Sequence, residues 1–160
     1  MSNFVIIRNK HITLDGMKIY LDNCSYNRPF DDQSQIRIHL ETQAKLYIQN
    51  LIVDKNLMLA YSYISWYENG NSPHTRNRTT IEKFFENAVS YVDIDKADIV
   101  GDRANEIMKY GVKAKDALHI ACAIEADCDC FITTDDGILK RYTNGDIKVC
   151  SPIEFINLYL

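Results

Sequence analysis

Three aspartates in this chain stand where carboxylates can do chemistry. Asp22 follows the apolar run Ile19-Tyr20-Leu21, and Asp135 follows Cys130-Phe131-Ile132 across Thr133 and Thr134. Asp116 falls in the first turn of a predicted helix over 113–127, where Ala117, Ile120, Ala121 and Ile124 recur at helical spacing. Ligands of open α/β sheets bind beyond the carboxyl ends of the strands. If the two runs lie parallel in one sheet, Asp22 and Asp135 share an edge. Carboxylates gathered there repel one another unless a cation sits between them. Each acid alone also reads as a turn former or helix cap. Three in this order point to a shared site.

The elements that would position these acids alternate along the chain. Short apolar runs at 57–60, 91–94 and 146–150 read as further strands. Helices are predicted over 33–54, briefly over 61–67, and over 79–90, 95–110 and 152–160. The helix over 33–54 is expected to bury Ile36, Leu40, Tyr47 and Leu51, with Asp31-Asp32 as caps. On it, Glu41 and Lys45 read as an i,i+4 pair, with Glu41 solvated or accessory. In the helix ending near Tyr110, Ile99, Ala104, Ile107 and Met108 are expected inward, and Gly111 fits the stop. The alternation implies a parallel sheet with helices on both faces. Residues 17–160 read as one domain. Residues 1–16 read as an extension, with strands at 4–7 and 11–14 and a turn at Asn9-Lys10.

Composition narrows the function classes. In 160 residues, 46% are apolar and 25% charged, ordinary for a soluble globular chain. No apolar run approaches membrane-spanning length and no signal-peptide pattern opens the chain, so a cytoplasmic protein is expected. A net charge of −4 does not suit a protein that coats nucleic acid, though a local basic strip can still hold phosphates. The 5 cysteines include no Cys-x-x-Cys and read as buried free thiols. There is no glycine-rich phosphate loop and no nucleophile elbow. Asp22-Asn23-Cys24 is not the Asp-x-Asp of aspartyl-phosphate chemistry.

Leu21-Asp22-Asn23, Asp116-Ala117-Leu118-His119-Ile120-Ala121 and Phe131-Ile132-Thr133-Thr134-Asp135-Asp136 resemble the PIN-domain superfamily of small metal-dependent nucleases, over residues 17–160. The resemblance implies a three-layer α/β/α fold with a central, mostly parallel sheet. It also implies a fourth acid after the second strand. Glu68 stands there, although Asn69-Gly70-Asn71 replace the usual apolar neighbours. The activity implied is a metal-dependent endoribonuclease leaving 5′-phosphate and 3′-hydroxyl ends. Mg²⁺ or Mn²⁺ would be held by Asp22, Glu68, Asp116 and Asp135, the first and third directly. Asn23, Thr133 and Asp136 would support those carboxylates.

Many members of the superfamily are toxins silenced by a small antitoxin, so RNA, an antitoxin and a second copy of the chain are the partners in view. The rival reading is a catalytically inactive module of the same fold that binds RNA or protein. Arg76, Arg78 and Lys83 form the best basic strip for RNA, or a solvated, charge-balanced surface. Tyr61, Tyr63, Trp66 and Tyr67 read as core or partner contacts before base-stacking groups. His119 reads as a core histidine satisfied by backbone, as a donor to substrate phosphate, or as a group placing Asp116.

Overall fold

The computed structural model of the protein describes residues 4–7 and 10–160, with side chains from residue 14 onward. Strands β1 (Phe4–Ile7) and β2 (Lys10–Thr13) pair antiparallel in a sheet of their own. Asn9, half of the expected turn, lies outside the described residues.

The apolar runs form a second sheet, of β3 (Lys18–Leu21), β4 (Met58–Ser62), β5 (Ser90–Val92), β6 (Cys130–Ile132) and β7 (Lys148–Cys150). Its order is β5-β4-β3-β6-β7, and every pairing is parallel. The crossovers carry α1 (Asn23–Asn27), α2 (Ile36–Val53), α3 (Tyr63–Gly70), α4 (Thr75–Phe85), α5 (Ala97–Met108), α6 (Ala114–Glu125) and α7 (Asp136–Arg141). The last helix is α8 (Pro152–Tyr159).

Strand side chains alternate between faces, and the core divides accordingly. Ile19, Leu21, Leu59, Cys130 and Ile132 pack with Ile48 and Ile52 of α2, Phe84 and Phe85 of α4, and Phe155 of α8. Tyr20, Ala60 and Phe131 face the other way, onto Val100 and Ala104 of α5 and Ala117, Ile120 and Ala121 of α6. The result is three layers, α/β/α, around an all-parallel sheet. Leu14 is buried with Met17 in the first of these clusters. All five cysteines are free thiols; Cys122, Cys130 and Cys150 are buried.

Helix α2 turns its expected face outward. Ile36, Leu40 and Tyr47 are exposed, and Leu51 is only partly buried. The face toward the core carries Glu41, Thr42, Ala44, Lys45, Ile48 and Ile52. Glu41, far from solvated, is 1% exposed. Its Oε1 accepts from Arg37 Nε at 2.7 Å and from Arg28 at 3.4 Å. The predicted pairing with Lys45 does not form. Lys45 donates to Gln49 at 2.7 Å and lies over the rings of Tyr26 and Phe84. Asp31-Asp32 do not cap α2. Gln35 holds that position, and Asp32 accepts from Ser34 in the preceding turn. On α5, Ala104 and Ile107 are buried as expected, whereas Ile99 and Met108 are exposed and Val100 takes the inner place. Gly111, with φ +86°, ends the turn after α5 as the sequence predicts.

Candidate functional site

The carboxyl ends of β3 and β6 are joined by backbone and side chain. Asp22 N donates to the Ile132 carbonyl at 2.9 Å. Asp22 Oδ2 accepts from Thr133 Oγ1 at 2.8 Å and from Cys24 Sγ at 3.3 Å, and its Oδ1 from Asn23 N at 2.8 Å. Asp22 therefore caps α1 while remaining 5% exposed. Burial, then the charge of Asp22, pushes the Cys24 thiol up to about 12, so it stays a donor.

Thr133 also reaches Asp135. Its Oγ1 accepts from Asp135 N at 3.1 Å, so one hydroxyl ties both strand-end acids. Asp135 caps α7 by accepting from Gly137 N at 2.7 Å and Ile138 N at 3.3 Å. A Cβ at Gly137 would stand 2.9 Å from Asp135 Oδ1, so a larger residue there would have to displace the capping oxygen. Asp116, in the first turn of α6, lines a cleft of about 70 Å³ with Asp135, Lys113 and Arg141. Burial, then the charges of Asp22 and Asp135, hold its carboxyl above the usual range, and Glu68 adds to this. Asp22, Asp135 and Glu68 thus all bear on Asp116. Among the described residues, no three His, Cys, Asp or Glu side chains already stand at ligand spacing for a metal.

Glu68 lies on α3 with both oxygens engaged. Oε1 is 3.3 Å from Lys115 Nζ, and Oε2 bonds His119 Nε2. Burial raises the Glu68 carboxyl, but the His119 hydrogen bond and the Lys115 ammonium beside it outweigh this and hold it low. His119, 1% exposed, bonds Glu68 and Tyr20 through side chains. It is buried, as a core histidine would be, but its described hydrogen bonds are to side chains and not to backbone or Asp116.

The remaining expected residues divide. Thr133 supports Asp22 through its hydroxyl; Asn23 does so only through its backbone N–H. Asp136 is held by Arg37, with contacts of 2.7 and 2.8 Å, and bonds to none of the four acids. Arg76, Arg78 and Lys83 all lie on α4 and likewise bond to none of them. Tyr61 stacks on Phe85 at 4.6 Å, while Trp66 and Tyr67 are exposed.

The basic groups at the acids are Lys113, Lys115 and Arg141, which the sequence reading passed over. Lys113 and Arg141 make no ion pair among the described residues. A signal was present: Lys115 and His119 are one helical turn apart, on one face with the first turn that holds Asp116.

The PIN domain family model matches residues 24–144, well over half of the chain. That span takes in Glu68, Asp116 and Asp135 and begins just after Asp22. No curated protein sequence matches significantly. Among solved structures, the chain is similar to VapBC2 from Rickettsia felis bound to a DNA fragment from its promoter. The TM-score is 0.52 at 18% identity, covering 84% of this chain and 98% of that one. It is also similar to FitAcB from Neisseria gonorrhoeae, with a TM-score of 0.53 at 16% identity over 84% and 98% of the two chains.

Proposed function

The chain belongs to the PIN-domain family, and on that premise we propose that it is a metal-dependent endoribonuclease. Asp22, Glu68, Asp116 and Asp135 are the proposed site, and Mg²⁺ or Mn²⁺ the proposed ion. The observation that carries this reading is geometric: Thr133 ties Asp22 to Asp135 across two strand ends, and Asp135 shares a cleft with Asp116, whose carboxyl is raised by burial and then by Asp22 and Asp135. Hard oxygen donors that repel one another fit a hard divalent cation. Bound there, such an ion would supply Lewis acidity and a water of lowered pKa.

The chain's own residues do the rest. Asp22 and Asp116 would hold the ion, and Thr133 keeps Asp22 from turning away. Asp135, fixed by the N-terminus of α7, and Glu68 would hold the ion's waters or orient the nucleophile. Lys113 and Arg141 receive the phosphodiester beside the acids, with the α4 strip of Arg76, Arg78 and Lys83 as an outer RNA contact. A cleavage assay on mixed RNA with Mn²⁺ tests this. Wild type should yield 5′-phosphate ends and Asp116→Asn should not; equal rates for the two would reject the assignment.

A second reading is favoured by one observation. Both oxygens of Glu68 are occupied, by Lys115 and His119, and among the described residues no three-donor set stands ready. On that reading the chain is a catalytically inactive module binding RNA or protein. Calorimetry with Mn²⁺ separates the two, because the inactive module would show no saturable binding with or without RNA.

We further propose a toxin role with a small antitoxin as partner. Similarity in fold to VapBC2 and FitAcB supports it. The proposed partner or dimer surface is the exposed pair Trp66 and Tyr67. A light-scattering mass equal to one chain would count against the dimer. No helix among the described residues is long and apolar enough to cross a membrane, and the cytoplasm is the proposed compartment. Residues 17–160 are the proposed functional unit, with 1–16 an appended segment.

A further inference from the structure

Beneath Glu68 lies a chain of buried polar groups that the nuclease reading does not use. Ser62 and Ser65 bracket the start of α3, and each hydroxyl oxygen accepts the other residue's backbone N–H, at 3.2 and 3.3 Å. Tyr20 OH stands 2.7 Å from both hydroxyls. It also stands 2.7 Å from His119 Nδ1, and His119 Nε2 meets Glu68. Tyr20, Ser62, Ser65 and His119 are all buried, so these bonds have no water to replace them.

The Glu68 end gives the chain a direction, because a carboxylate only accepts. His119 Nε2 therefore carries a proton, and in the neutral ring Nδ1 accepts, with Tyr20 OH at 2.7 Å as the donor. The phenol oxygen keeps its acceptor sites for the serines. Each serine oxygen already accepts a backbone N–H, and the two hydroxyls also stand 3.3 Å apart. Burial raises the Tyr20 phenol well above its ordinary value, so it remains a donor. An imidazole that accepts at Nδ1 carries its proton on Nε2, which faces the Glu68 carboxylate. The opposite tautomer would set a nitrogen lone pair against a carboxylate oxygen.

We propose that Tyr20 and His119 are positioning residues: Ser62 and Ser65 feed Tyr20, Tyr20 fixes the Nε2–H tautomer of His119, and His119 aims Glu68 at the other acids. This rests on the nuclease reading only for its consequence, since the chain of bonds exists apart from it. It also accounts for how an acid on α3, outside the strand ends that hold Asp22 and Asp135, acts at the same site. Lys115 clamps the second oxygen of Glu68 from the exposed side.

The test uses ¹⁵N signals of the His119 ring in the full-length, metal-free protein, together with Mn²⁺ affinity. The signals are read at a pH where the ring is neutral, and the expected proton is then on Nε2, with Nδ1 accepting. A neutral ring protonated at Nδ1 overturns the proposal. Tyr20→Phe retains the stack on Phe131 and should change the Nδ1 signal. His119→Leu should weaken Mn²⁺ binding about 10-fold or more. His119→Gln, whose amide can donate from near the same place, should restore most of the loss. Equal Mn²⁺ affinity in wild type and His119→Leu would also overturn it. If wild type bound no Mn²⁺, the nuclease reading would fall, while the ring signals would still decide the tautomer.

Discussion

The Thr133 hydroxyl donates to Asp22 Oδ2 at 2.8 Å across the ends of two neighbouring parallel strands, and accepts the backbone N–H of Asp135 at 3.1 Å. One side chain therefore sets the spacing of two acids that are remote in sequence. Thr133→Val keeps the shape and removes both bonds. We expect a loss of about 1–3 kcal/mol in urea unfolding, because a buried carboxylate and an amide lose a partner. Mn²⁺ affinity by calorimetry should fall about 10-fold or more.

Asp116 carries the electrostatic strain of the site. Its folded pKa is raised, by burial first and then by Asp22 and Asp135. A raised folded pKa means stability that is fully present below the unfolded value, about 3.9, and lost as pH rises through the folded value. In EDTA, Asp116→Asn should therefore be at least as stable as wild type at neutral pH. The difference should shrink on acidification toward the unfolded pKa. Urea melts across that window check it, and Mn²⁺ should stabilise wild type more than the variant.

Lys45 is a buried cation with no carboxylate partner among the described residues. Burial lowers its ammonium to about 8. The unfolded value is about 10.4, so the penalty is complete below pH 8 and fades as pH rises toward 10.4. Lys45→Met should stabilise the protein by about 1–3 kcal/mol at pH 7, the contacts with Tyr26 and Phe84 offsetting part of the gain. The gain should be smaller at pH 9.5.

Arg37 links α2 to the start of α7, through Glu41 at 2.7 Å and Asp136 at 2.7 Å. Removing it leaves the buried Glu41 with Arg28 alone, at 3.4 Å. Arg37→Ala should cost about 2 kcal/mol or more, above the range of an exposed ion pair. Glu41→Leu, which removes the buried charge itself, should cost less. Paired thermal melts of the two variants make the comparison.

The strands, their parallel order and the placing of Asp22, Asp116 and Asp135 were legible because each depends on local pattern: an apolar run, a helical repeat, an acid at its end. The fold's central block, residues 111–136, carries all three signals in sequence. Helix α2 was not legible, because its inner face depends on groups distant in sequence. Glu41 is buried only because Arg28 and Arg37 meet it, and Lys45 only because Tyr26 and Phe84 lie beneath it. No hydrophobic count on α2 alone contains those partners. The same holds at the site. Glu68 bonding His119, and His119 bonding Tyr20, join α3, α6 and β3. His119 read in isolation gave a core residue satisfied by backbone, a phosphate donor or a group placing Asp116; it is buried, and its side-chain partners come from two other elements.

The pairing of β3 with β6, Leu21 opposite Ile132, has a consequence for synthesis. A nascent chain is made from its N-terminus at about 5–20 residues per second, and its earlier segments leave the ribosome first. Asp22 is made well before the strand that brings Asp135 beside it. The threonine that ties the two acids arrives with that later strand. A chain made only as far as α5 holds the first carboxylate without Asp116 or Asp135, so the proposed site cannot close until β6 has followed.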